Sequence, residues 1–162
     1  MTQTSSKLSV EELKKLLTYD PLTGMFTWNK TLGSRALEGS KAGGTCKVHG
    51  YHFIRLHKKL YRSHHLAWLY TYGFFPTLDI DHINQDRADN RIVNLREVNR
   101  TVNNLNTSKR KGYSFSKQRN KYIAYLQMKG KRKHLGTFNT LEEAKNEHER
   151  AKSERIAQLC CS

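Results

Sequence analysis

Short apolar runs alternate with polar breaks rich in glycine or asparagine, so the chain predicts many short elements rather than a few long ones. Ser9-Val10-Glu11-Glu12 has the form of a capping box, with Leu8 and Leu13 placed as a hydrophobic staple. Leu13, Leu16 and Leu17 then share one helical face, which predicts a helix from about Val10 to Thr18. A turn follows over 19–24, with Pro21 and Gly24 as its breakers, and Met25-Phe26-Thr27-Trp28 reads as a strand. Residues 30–44 carry Gly33, Gly39, Gly43 and Gly44 without the spacing of a nucleotide loop, and read as a flexible connection. Residues 50–56 and 60–62 form a hairpin pattern around His57-Lys58-Lys59. Residues 64–70 read as a helix closed by Gly73, with Pro76 barring its continuation.

The densest pattern lies over 79–106. A short apolar run ends in Asp81-His82-Ile83, a polar loop covers 84–90, a second apolar run covers 91–98, and Asn99, Asn103 and Asn106 then recur at helical spacing. Strand, loop, strand and helix in that order would bring Asp81, His82 and Asn103 together. A carboxylate and an amide oxygen are hard donors suited to Mg²⁺ or Mn²⁺, which complete their shell with water and substrate phosphate. A neutral imidazole beside them can take a proton from water near neutral pH. These parts suit phosphodiester hydrolysis.

Composition narrows the partner. The 162 residues hold 29 Lys and Arg against 14 Asp and Glu, a formal net charge of +15 that favours a polyanion. With 36% hydrophobic and 27% charged residues, two modest cores fit better than one large one. No apolar stretch approaches the ~18 residues of a spanning helix, and Met1–Lys7 lacks the apolar core of a signal peptide, so a cytoplasmic protein is expected. Cys46, Cys160 and Cys161 form no CxxC pair and support neither a disulfide framework nor a zinc ribbon.

From Val98 to Leu141 there is no acidic residue at all, while basic ones are frequent, which points to phosphate backbone. Residues 108–111 read as a basic linker. Tyr113–Phe115, Tyr122–Met128 and Lys133–Leu135 are strand-like, with turns at 118–120 and 129–131. Thr140-Leu141-Glu142-Glu143 opens a helix as a second capping box. Charge runs are usually solvated faces, but an acid-free one of this length points more specifically to phosphate backbone.

Two resemblances follow from these residues. Asp81-His82-Ile83-Asn84, Asp89-Asn90-Arg91-Ile92, Asn94-Leu95-Arg96 and Asn103 together resemble the HNH (ββα-metal, His-Me finger) homing-type endonucleases of phages. The resemblance implies His82 as general base, Asn94 as a brace for the loop, and Asp81 and Asn103 as ligands of one Mg²⁺ or Mn²⁺ ion. It also implies 5′-phosphate and 3′-hydroxyl products and a place in the host cytoplasm. His64 fits a His-Arg-Leu-Ala-Trp run of such relatives, with His65 at the Arg position. Gln85 stands where many of them have Gly, a residue free to take positive φ, and Asn99 stands where Thr is usual. Arg62, His64, Arg91 and Arg96 are candidates for phosphate contact.

The second resemblance is to the AP2 DNA-binding domain, through Lys111-Gly112, Lys121-Tyr122-Ile123-Ala124, Leu135-Gly136-Thr137-Phe138 and Glu142-Glu143-Ala144. It implies a three-stranded sheet in the major groove of double-stranded DNA, with Lys117, Arg119, Lys121, Tyr125, Gln127, Lys131 and Lys133 facing it. Phe115 and Tyr122 stand where Trp is common. The expectation is an α+β chain with an HNH module over 8–107, the linker 108–111 and an AP2-like module over 112–157. A DNA-binding regulator that kept the fold without cutting is the rival reading.

Overall fold

The computed structural model describes residues 8–106, 111–128 and 131–160. Most of the expected linker 108–111 and of the turn 129–131 lies outside these residues. So do Met1–Lys7 and Cys161. The architecture is α+β, with four small sheets and four helices among the described residues. Contacts divide the chain into Met1–Glu97 and Val98–Ser162, ahead of the linker, because Val98 and Val102 bury their side chains with Ile156.

In the first unit, α1 (Val10–Leu16) is capped by Ser9, whose Oγ accepts from the Glu12 N–H at 3.2 Å. The helix stops at Leu16, two residues short of the expected Thr18. Leu17 and Tyr19 are buried and Thr18 and Asp20 exposed, so the next four residues follow a strand period and form β1 (Leu17–Asp20). Burying each of those two large side chains is worth about 1.5–3 kcal/mol, more than one further helical turn would recover. β1 pairs antiparallel with β2 (Met25–Trp28), Leu17 opposite Trp28.

Residues 30–44 are not the flexible connection their glycines suggested. Their backbone is tied along β2 by Trp28 N–H to Ser40 O, Gly39 N–H to Trp28 O and Ala42 N–H to Phe26 O, and Ala42 is fully buried.

A second sheet runs β3 (Gly44–Thr45), β4 (His52–Leu56), β5 (Lys59–Arg62). The β4–β5 turn is tighter than the sequence suggested, with Leu56 opposite Lys59 and only His57 and Lys58 between them. Both have positive φ, 47° and 64°, as a two-residue primed turn requires. Helix α2 (Ser63–Tyr72) ends as expected at Gly73, which sits at φ 85° and donates its N–H to Leu69 O at 2.9 Å. Leu66, Ala67, Trp68 and Leu69 of α2 pack with Leu13, Leu17, Phe26 and Ile54 in one core, which also takes in Ile80 and Leu95.

Those last two residues fix the third sheet to that core. β6 (Asp79–His82) pairs with β7 (Leu95–Val98). The second strand begins four residues later than expected, because Ile92–Asn94 form a 3₁₀ turn instead. That turn points the Asn94 side chain into the loop, and Ile83 N–H closes onto Asn94 O at 2.9 Å.

In the second unit, α3 (Arg100–Leu105) is capped by Asn99, whose Oδ1 accepts from Val102 N–H. Strands β8 (Tyr113–Ser116), β9 (Lys121–Met128) and β10 (Lys131–Phe138) form an antiparallel sheet in the order β10-β9-β8. Helix α4 (Leu141–Cys160) opens with the expected reciprocal cap: Glu143 N–H donates to Thr140 Oγ1, and Thr140 N–H to Glu143 Oε2. Its Ala144, His148, Lys152 and Ile156 recur every four residues and are the buried stripe, facing β9.

Candidate active site

Asp81 and His82 end β6, and both side chains are buried, at 6% and 4% exposure. Neighbouring strand residues point to opposite sides, so the acid and the imidazole leave the backbone in different directions. The Asp81 Oδ2 accepts from Arg96 Nε at 2.9 Å and Nη2 at 2.7 Å, a two-pronged ion pair reaching from β7.

The loop over 84–90 is held by its own side chains. Asn94 spans it: its Oδ1 accepts from Asn84 N–H at 3.0 Å, and its Nδ2 donates to Asp89 O at 2.9 Å. Asn84 Oδ1 accepts from Asp86 N–H, Asp86 Oδ1 from Ala88 N–H, and Asp89 grips Arg91 through both oxygens. Gln85 has φ 66°, the left-handed conformation that Gly takes most easily. Two contacts from β1–β2 hold the far end of the loop. Tyr19 Oη donates to Asn90 O at 2.8 Å, and Gly24, at φ 72°, lies so close that a Cβ there would stand 2.5 Å from Arg91 N.

Two aromatic groups stand around His82. His64 from α2 meets it edge to face with ring centres 4.9 Å apart, Tyr51 is 6.0 Å from it, and Tyr51 and His64 are 5.3 Å apart. Burial pushes the His82 imidazole below its ordinary range; the Asn90 side chain and the carboxylates of Asp81, Asp86 and Asp89 partly offset this. The ring is neutral at neutral pH, the state a base needs. Burial, helped by His65, His82 and Arg62, pushes His64 down to about 2, so that imidazole stays neutral too. Among the described residues its Nδ1 is buried without a hydrogen-bond partner.

Of the four residues expected at phosphate, Arg91 and Arg96 are engaged by Asp89 and Asp81, and His64 is buried at 2% exposure. Arg62 is exposed, with its guanidinium carbon 5.1 Å from the Tyr51 ring centre. Tyr51 and Arg87 escaped the sequence reading, and Asn90 entered it only within the motif Asp89-Asn90-Arg91-Ile92. Only Asn90 had a signal there, in its place at the end of the asparagine-rich loop.

Asn103 lies on α3 in the second unit, half-buried. Among the described residues no group of three or more His, Cys, Asp or Glu gathers as a metal cage.

In the second unit, strand register sorts the expected DNA-facing residues. Gln127 pairs with Arg132 and Tyr125 with His134, whereas Leu126 pairs with Lys133 and Met128 with Lys131. Paired residues share a side of the sheet, so Lys131 and Lys133 lie on the side of buried Leu126. Tyr125, Gln127, Lys121, Arg132 and His134 share the other. Arg132 stacks over Tyr125 at 4.7 Å. Lys117 and Arg119 are exposed in the β8–β9 turn.

Against known families, residues 61–105 match the model described as HNH endonuclease, a stretch running from β5 to the end of α3. This segment is similar to HNH endonucleases, and the similarity supports a nuclease. No curated protein and no solved structure matches the chain. No described helix is long and apolar enough to cross a membrane.

Proposed function

We propose that the protein is a metal-dependent DNA endonuclease of the homing type, as in phages, that hydrolyses phosphodiester bonds with His82 as general base. The observation that carries this reading is the buried, neutral His82 at the mouth of a loop braced by Asn94, inside the segment similar to HNH endonucleases. His82 accepts the proton of the attacking water, and the Asn94 brace keeps the loop, and with it Asn90, in place beside the imidazole. Asp81 and Asn103 are the oxygens that would hold one Mg²⁺ or Mn²⁺ ion. When bound, such an ion stabilises negative charge on the phosphate and the leaving oxygen.

The second unit supplies docking to double-stranded DNA in this reading, through a sheet resembling that of AP2 domains. Its side with Lys121, Tyr125, Gln127, Arg132 and His134 presents cations and hydrogen-bonding groups away from the buried stripe of α4.

One observation favours the rival, a DNA-binding regulator that does not cut: Arg96 already neutralises Asp81. Plasmid nicking with Mg²⁺ or Mn²⁺ separates the two. The nuclease reading expects the wild type to nick and His82→Ala to bind DNA equally but leave it intact. A wild type that cuts no DNA with either ion leaves the regulator.

A further inference from the structure

Two arginines flank the ring of Tyr51, and among the described residues neither is paired with a carboxylate. Arg62 ends β5, and Arg87 lies in the loop after β6. Their guanidinium carbons sit 5.1 and 4.8 Å from the centre of the same ring, that of Tyr51. The other arginines near the site behave differently: Arg91 and Arg96 each spend two N–H groups on a carboxylate. Among the described residues neither Arg62 nor Arg87 has a carboxylate within ion-pair distance. Arg87 is fixed further by Nη1, which donates to His49 O at 3.1 Å.

A guanidinium stacked on an aromatic face loses rotamer freedom but keeps its in-plane N–H edge for an acceptor. Two such groups on one ring, neither ion-paired among the described residues, form a pre-positioned site for a doubly accepting anion. The ring that organises them stands 6.0 Å from His82. In a protein of net charge +15, the anion this site is shaped for is a backbone phosphate of the nucleic acid.

We infer that Tyr51, Arg62 and Arg87 form a phosphate-binding subsite that grips the DNA strand next to the bond presented to His82. Tyr51 is a positioning residue: it touches the two guanidiniums and sets their spacing, and its hydroxyl has no part in this role. The inference rests on the nuclease reading for the identity of the bond, but the subsite itself is tested by binding alone.

The experiment uses the full chain with a duplex oligonucleotide, measuring Kd across a salt series and, where cutting occurs, KM and kcat. Arg62→Gln and Arg87→Gln are each expected to weaken binding about tenfold. Together they should reduce the slope of log Kd against log salt by about 0.9, the loss of one phosphate contact. KM should rise with kcat nearly unchanged. Tyr51→Leu should weaken binding as the arginine variants do, and Tyr51→Phe, which keeps the ring, should regain most of that loss. His82→Ala should leave Kd and salt slope as they were. A double Arg62→Gln, Arg87→Gln variant with wild-type affinity and slope overturns the subsite. A wild type that binds with the expected slope changes but never cuts overturns the nuclease reading and leaves the subsite standing.

Discussion

Arg96 holds Asp81 by two N–H groups on a single carboxylate oxygen, at 2.9 and 2.7 Å. A guanidinium in that position is a resident counter-ion that a divalent ion has to displace or share with. Replacing it with Arg96→Gln should therefore tighten Mn²⁺ binding severalfold in isothermal titration, and Asp81→Asn should weaken it. Asp81→Asn also strands a half-buried Arg96, and should lower stability by about 1–3 kcal/mol. Unaltered Mn²⁺ affinity in both variants would remove Asp81 from the ligand set.

Asn94 closes the 84–90 loop with one acceptor and one donor bond, both part-buried. Asn94→Ala leaves the Asn84 N–H and the Asp89 carbonyl unpaired, at about 1–3 kcal/mol each at most. Denaturant unfolding should show a loss of roughly 2–4 kcal/mol on that basis. Asn94→Asp keeps the acceptor and should lose less.

Gln85 adopts φ 66° in the same loop. Left-handed backbone costs a residue with a Cβ about 1–2 kcal/mol, part of which Gly gives back as extra freedom in the unfolded chain. Gln85→Gly should stabilise the protein by about 0.5–1 kcal/mol. A fall in melting temperature would mean that the Gln side chain contributes more than its backbone costs.

His64 predicts an acid-sensitive fold. Burial lowers its pKa from 6.5 to about 2, so between those values the unfolded chain binds a proton there and the folded one does not. Its contribution is complete above about pH 6.5 and is lost as pH falls below it, at up to about 1.4 kcal/mol per pH unit. Burial shifts His52, His65 and His82 in the same direction. His64→Phe should flatten the fall in stability between pH 6.5 and pH 4.5, read from urea midpoints at each pH. A slope equal to that of wild type would place His64's ring in contact with solvent.

Gly112 lies directly against the ring of His148 within the second unit. A Cβ there would stand 1.9 Å from the ring of His148, whose Nδ1 lies 3.1 Å from Tyr125 O. Gly112→Ala must push that buried ring off the carbonyl, and should cost about 1–3 kcal/mol. Thermal unfolding followed with a probe in the second unit checks it, and an unchanged midpoint would show that α4 shifts freely.

The sequence by itself determined what depends on near neighbours. The caps of α1, α3 and α4, the stop of α2 at Gly73, the adjacency of Asp81 and His82, and the self-pinned loop ending at Asn94 all involve residues within about ten positions of each other. Tertiary packing decided the rest. The period of 17–20 was ambiguous until Leu17 met Trp28 and Tyr19 reached Asn90, and the glycines of 30–44 looked flexible until their backbone found β2. Which lysines share a side with Leu126 was set by the β9–β10 register, since a shift of one residue turns every side chain over. Tyr51 and Arg87 stand 36 positions apart and carry no motif; only the folding of β4, β5 and the loop after β6 onto one core brings a ring and a guanidinium to the imidazole at 82. Local propensity and spacing are written in neighbouring residues, whereas contacts between distant ones exist only once a common core has been buried.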